Sequence, residues 1–265
     1  MGGATDTCGA TSTTVVGRGF GHWAHGYRRM LAWEFASLRL HLPLLASVLM
    51  LQGAGFVLGI GLFFQHIPAT TAVYVATGVP VVNLLTVGLI FEPQIVADQR
   101  AQGSYEFIRA MPVPRSARFL AWYSISLLVA LPAVIVSLAV GVARYHFDLH
   151  LTAGIVPAVV MTSLTGTLLG YALAHAVNAP MVIRLVSVSM IFVIFGFSPV
   201  TFRAAQLPAW LRSTNRWVPF ESMATVVRSS LVGGSATGAG RAYLVLGAWG
   251  LASASVAAWA LGRRR

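Results

Sequence analysis

The chain of 265 residues is 57% hydrophobic and only 9% charged, and its mean hydropathy is +0.75. This composition excludes an ordinary soluble domain, in which about a quarter of the residues are charged. The positive charge comes entirely from arginine, because the sequence contains no lysine. These residues therefore cannot form a P-loop that holds nucleotide phosphates, or a lysine Schiff base. Cys8 is the single cysteine, which excludes an intrachain disulfide and a cysteine-rich zinc site.

The N-terminal part divides into a polar tail and an amphipathic helix. Residues 1–21 are rich in Gly, Thr and Ser and lack the apolar core of a signal peptide, which predicts a disordered cytoplasmic tail. In residues 22–41 the large apolar side chains Trp23, Tyr27, Met30, Leu31, Phe35 and Leu38 keep to one helical face. We expect this helix to lie along the inner membrane surface. Its interfacial residues are Trp23, Tyr27, Arg28, Arg29, Trp33 and Glu34.

Long apolar runs follow, and they predict an all-α membrane protein. Residues 40–91 carry no formal charge and are interrupted only by the polar sequence QHIPAT, so they hold two spans of about 20 residues each. The rest of the chain contains four further runs of sufficient length. The predicted spans are 43–64, 71–91, 119–143, 153–177, 181–202 and 242–261, which together with the interfacial helix make one transmembrane domain over 22–265.

The arginines predict the orientation. Twelve lie in the flanks that would face one side of the membrane and six in those that would face the other, and arginine in short flanks favours the cytoplasm. Both termini are therefore expected in the cytoplasm of a multi-pass plasma-membrane protein. Because the arginines border apolar runs, the basic charge indicates anionic lipid headgroups as partners rather than nucleic acid.

The loop over residues 92–118 is unusually polar for this chain. Glu92 and Pro93 are expected to end the second span, because proline disfavours helix before it and a carboxylate belongs in water or among headgroups. A helix broken at Gly103 and Ser104 follows, then a short helix capped by Ser104 with an apolar face of Phe107, Ile108 and Met111. A solvated loop is the competing interpretation. The exposed Tyr-Phe-Ile cluster favours a contact with another protein.

Two motifs of the chain carry a resemblance to a known family of membrane proteins. In DQRAQGSYEFIRAMPVPRSARF, residues Arg100, Gly103, Glu106, Pro112 and Arg115 match the family pattern R-x-x-G-T-x-E-x-L-x-x-x-P-x-x-R. Ser104 stands for the usual Thr, and Ile108 for the usual Leu. The segment LPAWLRSTNRWVPFESMATVVRSSL, 207–231, is similar to the outer signature of the family, with Val218-Pro219 in place of Asn-Pro. Both motifs thus resemble the permease subunits of ABC-2 family ATP-binding-cassette transporters, and the resemblance covers nearly everything after about residue 22.

The resemblance implies an exporter permease without catalytic chemistry of its own. Its loop would be a coupling helix that docks on a separate cytoplasmic ATPase subunit, which would bind the ATP and Mg²⁺. A second permease, identical or paralogous, would complete the path, and the outer segment 203–241 would form a re-entrant lid. The implied coupling residues are Arg100, Gly103, Ser104, Tyr105, Glu106, Phe107, Ile108, Met111 and Pro112. The implied outer-gate residues are Pro208, Trp210, Leu211, Trp217, Pro219 and Glu221.

The outer segment also has features of its own. Five arginines are set among tryptophans and apolar residues between the last two spans, which predicts short helices half-sunk in the outer interface. Within the spans, a possible substrate path comprises Gln52, Phe56, Asn83, Phe192 and Phe195, although packing is the favoured role for Gln52 and Asn83. Gly55 with Gly59, and Gly166 with Gly170, form GxxxG pairs suited to close helix packing, within the subunit or at a subunit interface.

Several other functions remain open on the sequence. A metal could in principle bind His146, Asp148 and His150, but no fourth ligand is evident, so no metal site is predicted. An intramembrane enzyme is disfavoured because no predicted span carries an acid and only His175 would titrate near neutral pH. A permease for lipid-linked polysaccharide and a scaffold that transports nothing are further alternatives. Efflux of amphipathic drug-like or lipidic molecules, as in multidrug resistance, is preferred because the chain is short and its inner surface is simple.

Overall fold

The computed structural model describes residues 19–63, 68–111, 113–177, 179–232 and 238–262. This part of the chain is all-helical and contains no strand. Its first helices are α1 Phe20–Leu38, α2 Leu42–Phe63, α3 Ala69–Thr86, α4 Glu92–Ala101, α5 Ser104–Ala110 and α6 Arg115–Tyr145. The rest are α7 Ile155–Ala176, α8 Pro180–Phe197, α9 Ala209–Asn215, α10 Pro219–Val232 and α11 Ala239–Gly262. The predicted tail over 1–21 falls mostly outside the described residues.

Six helices of the described part are long and apolar enough to cross a bilayer, as the sequence predicts. They are Leu42–Leu62, Ala69–Ala101, Arg115–Tyr145, Ile155–Ala176, Pro180–Phe197 and Ala239–Ala260. The chain therefore has the architecture of a multi-pass membrane protein. The second and third of these helices are more than 30 residues long, against predicted spans of 21 and 25 residues, because helix continues into the polar loop at both of its ends.

The prediction that Glu92 and Pro93 end the second span is wrong. A π-helical turn over Val87–Phe91 joins α3 to α4, so the helix continues to Ala101 with Pro93 as the second residue of α4. The wide turn suits proline, which has no N–H and would otherwise crowd the carbonyl one turn back. Glu92 is buried, and one of the candidate spans therefore carries an acid.

Glycines bring the central helices together. A Cβ on Gly170 of α7 would overlap the carbonyl group of Gly88, and one on Gly88 would lie 2.6 Å from the carbonyl carbon of Gly166. The prediction that Gly166 and Gly170 pack within the subunit is thus confirmed. At Gly55 and Gly59 of α2, by contrast, a Cβ would meet nothing within 4 Å, so this pair packs against no described part of the chain.

The two ends of the bundle differ. At one end lie α1, α5, the start of α6 and the end of α7. At the other end, α10 packs against α3, α7 and α11. The loop before α7 contacts the last turn of α10, where the His150 N–H donates to the Leu231 carbonyl at 2.9 Å. Half-sunk surface helices were predicted here, and for α10 this is wrong. Its apolar side chains fill the main core and are Phe220, Met223, Ala224, Val226, Val227 and Leu231.

Candidate functional site

The turn between α4 and α5 is held rigidly. Gly103 adopts a φ of 75°, a left-handed conformation that glycine takes without strain, so the predicted helix break at this residue is confirmed. Before the turn, Arg100 Nη1 donates to the Val177 carbonyl at 2.5 Å, at the end of α7. Its guanidinium also lies 4.8 Å from the centre of the Tyr105 ring. The turn is therefore tied to the end of a membrane-spanning helix.

The short helix α5 has an inner and an outer side. Ile108 is buried against Met30 of α1 and Ala121 of α6, whereas Phe107 is 67% exposed and Glu106 is also exposed. Tyr105 turns inward too, with its ring 6.1 Å from that of His175. The predicted Tyr-Phe-Ile surface cluster is wrong as a unit, because successive residues of a helix point in different directions.

Three further residues of the predicted coupling set are Ser104, Met111 and Pro112. Ser104 was expected to cap α5, but the capping position belongs to Gly103, and Ser104 is the first helical residue. Its hydroxyl donates instead to the Gln99 carbonyl at 3.2 Å, across the turn. Met111 is half-buried, and Pro112 lies outside the described residues.

Helix α1 forms a platform beside α5. Trp23 Nε1 donates to the Ser116 hydroxyl at 3.0 Å, and the Tyr27 and Ser124 hydroxyls lie 2.9 Å apart, so α1 runs along α6. The buried residues of α1 are Gly26, Met30 and Glu34, one per turn. The predicted apolar face is therefore rotated: Phe35 is 50% exposed, and the acid Glu34 takes its place inside. Arg28 and Arg29 are exposed as expected, and Trp33 packs beside Met30.

A cavity of about 190 Å³ lies beneath α5. Two acids reach it, Glu34 from α1 and Glu92 from α4. The Ser126 hydroxyl donates to Glu92 Oε1 at 2.7 Å, while Oε2 has no bond of normal geometry, although Thr167 and Trp122 are near it. The other residues that line the cavity include Gln99, Tyr105, Ile108, Arg115, Arg118, Trp122, Tyr171 and His175.

The charge of this cavity depends on Glu34. Burial raises the pKa of its carboxyl group to about 7, against the opposing effect of the positive charge on Arg118. Glu34 thus exchanges its proton near neutral pH, at the junction of α1 and α6.

Next to the cavity, Asp98 of α4 pairs with Arg184 of α8 at the surface. The spans around α5 are therefore linked by polar contacts as well as by packing.

The residues proposed for a substrate path differ in burial and in contacts. Asn83 is buried and donates from Nδ2 to the Ala133 carbonyl at 3.2 Å and to the Ser137 hydroxyl at 3.4 Å, which is a packing role. Phe56 and Phe195 contact each other with ring centres 5.1 Å apart. Phe192 is 69% exposed on the outside of α8, and Gln52 is half-buried in α2.

The predicted outer-gate residues divide between surface and core. Trp210 and Trp217 are strongly exposed, Pro208 precedes α9, Leu211 is half-buried and Pro219 is buried. Burial raises the pKa of Glu221, and nearby arginines oppose this effect. Among the described residues, His146, Asp148 and His150 do not form part of any cluster of three or more metal-ligating side chains.

Sequence reasoning missed the cavity and its two acids. A signal for Glu34 was present, because it follows Gly26 and Met30 at intervals of four residues, on the stripe that a helix would bury. Glu92 gave a weaker signal: it follows 52 uncharged residues and precedes a sequence that can remain helical. Only the packing of α6 and α7 around the cavity shows that Glu34 and Glu92 line the same space.

Two comparisons of the chain with known proteins gave no match. No protein-family model matches it, and no curated protein is significantly similar to it in sequence.

Proposed function

We propose that this chain is the membrane-spanning permease subunit of an ATP-driven exporter, similar to the ABC-2 family. It moves an amphipathic drug-like or lipidic molecule outward and is energised by a separate cytoplasmic ATPase subunit that binds ATP and Mg²⁺. Helix α1 lies at the inner membrane surface, and α5 is the coupling helix. The permease acts as a pair, with a second copy or a paralogous subunit.

The observation that carries this proposal is the two-sided character of α5. Ile108 anchors the helix between α1 and α6, while Phe107 and Glu106 are exposed. An exposed Phe beside an acid, on a helix fixed at the end of a bundle, is suited to contact another protein. Through Arg100 and the end of α7, a push on α5 reaches the spans. The lack of lysine supports an external energy source, because these residues cannot form a P-loop.

Site-specific crosslinking tests the docking surface. A photoreactive amino acid at position 107 is expected to crosslink, in native membranes, to a soluble subunit that carries a P-loop. The same amino acid at Trp210, an equally exposed residue at the other end of the bundle, serves as the matched control. Crosslinks from position 210 but not from 107, or none to a P-loop protein, would reject α5 as the coupling helix.

Transport measurements test the coupling itself. Phe107→Ala is expected to reduce ATP-driven accumulation in inverted vesicles by about tenfold or more, because truncation of a large aromatic anchor costs about 2 kcal/mol or more of contact energy. Phe35→Ala removes an exposed Phe from α1 and is expected to leave transport within about twofold of the unchanged chain. Normal transport by the Phe107→Ala variant would contradict the assignment.

An intramembrane enzyme is the second candidate, and one observation favours it. Glu92 and His175 line the same cavity, so the argument that no span carries an acid does not hold. Hydrolysis of a lipid or peptide by the purified chain, lost in a Glu92→Gln variant, would support this function. ATP-dependent transport that survives Glu92→Gln would support the permease.

A further inference from the structure

A second pocket lies at the end of the bundle opposite α5, between the start of α3 and the middle of α10. Two arginines line it: Arg203, from the segment after α8, and Arg228, from α10. Both guanidinium groups face the ring of Tyr74, at 5.7 Å and 3.8 Å from its centre. The pocket measures about 420 Å³, and its other lining residues are Thr70, Val73, Thr225, Ser229 and Val232. No acidic residue is among the described residues that line it.

The guanidinium of Arg228 is held in place by hydrogen bonds, and it forms no ion pair with the described residues. Nε donates to the Thr77 hydroxyl at 3.0 Å and Nη2 donates to the Val200 carbonyl at 2.8 Å, which fixes the plane of the guanidinium. Nη1 has no hydrogen bond to the described residues. Burial lowers the pKa of Arg228 to about 10, so it stays charged at neutral pH, and desolvation strengthens its attraction for an anion.

Arg203 adds a second charge without a carboxylate partner. Its guanidinium lies 5.7 Å from the centre of the Tyr74 ring, and neither arginine forms an ion pair with the described residues. Two like charges beside one ring repel each other, and an anion bound to both offsets that repulsion. Glu221 lies on the same helix as Arg228 and attracts its charge, but it does not line the pocket.

We propose that this pocket binds a phosphate-type oxyanion through Arg203 and Arg228. Planar guanidinium groups match the geometry of phosphate oxygens and form short, charge-assisted hydrogen bonds with them. Val73 and Val232 supply an apolar wall beside the charged part, which fits the phosphate of a lipid headgroup better than a fully hydrated ion. This site does not depend on the proposed coupling to an ATPase, and it is tested without one.

The test uses the purified full chain in detergent. Native mass spectrometry measures the retention of phosphatidylglycerol, which is anionic, against phosphatidylcholine, in which choline neutralises the phosphate. Thermal unfolding is measured in sodium phosphate against sodium chloride at equal ionic strength. Selective retention of phosphatidylglycerol identifies a headgroup site, whereas stabilisation by inorganic phosphate without lipid selectivity identifies a free-anion site. If the unchanged chain shows neither effect, the proposal is overturned.

The variant Arg203→Gln removes one charge without breaking a hydrogen bond of the fold. It is expected to weaken the observed binding by about tenfold, because it removes a charge-assisted hydrogen bond to the anion. Arg216→Gln, at an exposed arginine of the same end, makes the same change in net charge and is expected to leave binding within about twofold. Equal loss in both variants, or none in Arg203→Gln, would show nonspecific attraction and overturn the site. Arg228→Gln is the less informative variant, since it also removes two bonds to the fold.

Discussion

At the scale of single residues, the main finding is the burial of charge in a chain that has little of it. Glu34 and Glu92 share a cavity, and Arg228 is held inside the opposite end of the bundle. A buried charge costs free energy unless it is paired, so these residues are improbable choices for packing alone. They lie at the two ends of the bundle for which we propose functions, the coupling end with α5 and the end with the anion pocket.

The raised pKa of Glu34 predicts how stability depends on pH. The folded chain keeps this proton up to about pH 7, whereas the unfolded chain loses it near the ordinary pKa of 4.5, so folding binds a proton between these values. Stability should therefore fall as pH rises from about 4.5 to about 7, by up to about 3 kcal/mol from this group. Glu34→Gln should flatten that dependence, as measured by unfolding in detergent.

Asp148→Asn is the matched control for this measurement, because Asp148 is exposed. It should leave the pH dependence unchanged. An equal effect of the two substitutions would mean that general charge, and not the buried carboxyl group, sets the slope.

At the scale of elements, helix contact depends on where a glycine stands and not only on its spacing. Both GxxxG pairs have the same sequence signature, yet Gly170 lies against the backbone of the π-helical turn and Gly55 faces open space. The position of α3 explains the difference. It is the most buried of the spans, and α7 packs directly on its far end, whereas one side of α2 meets no other helix.

Alanine substitutions should separate the two pairs. Gly170→Ala places a methyl group where the Gly88 carbonyl lies and is expected to destabilise the fold by about 1–3 kcal/mol or more. Gly55→Ala should have no such cost and should slightly favour the helix. Comparison of the unfolding free energies in the same detergent checks both expectations, and equal stability of the two variants would contradict the close packing of α3 and α7.

At the scale of the whole molecule, polarity is separated between the two ends. One end carries α1, α5 and the cavity with two acids, and the other carries α9, α10 and the pocket with two arginines. The arginine count predicts that the first end faces the cytoplasm. Each end presents its own exposed aromatic residue, Phe107 at the first and Trp210 at the second.

Cysteine labelling checks this orientation. In a Cys8→Ser background, which lacks cysteine, Gln102→Cys marks the first end and Ser213→Cys the second, and both positions are exposed. A membrane-impermeant maleimide added to intact cells should label position 213 and leave position 102 unlabelled until the membrane is opened. The reverse pattern would invert the proposed topology and place α5 outside the reach of a cytoplasmic ATPase.

The sequence by itself determined that most of the chain is suited to lipid rather than water. It also determined the number of spans and the position of the helix break at Gly103. Each of these follows from local properties: the length of an apolar run, the charge at its ends and the backbone freedom of glycine. The sequence also indicated a special role for the loop over 92–118, but it placed Glu92 in the headgroup layer and Ile108 on the surface.

Only the tertiary structure decided which sides of the helices face each other. The burial of Ile108 depends on Met30 and Ala121, which are distant in the chain, and Arg228 meets Thr77 across 151 positions of sequence. In lipid most faces of a helix are apolar, so hydrophobic periodicity does not distinguish a packed side from a lipid-facing one. For this reason the spans could be counted from the sequence, whereas the cavity and the arginine pocket appear only where separate helices meet.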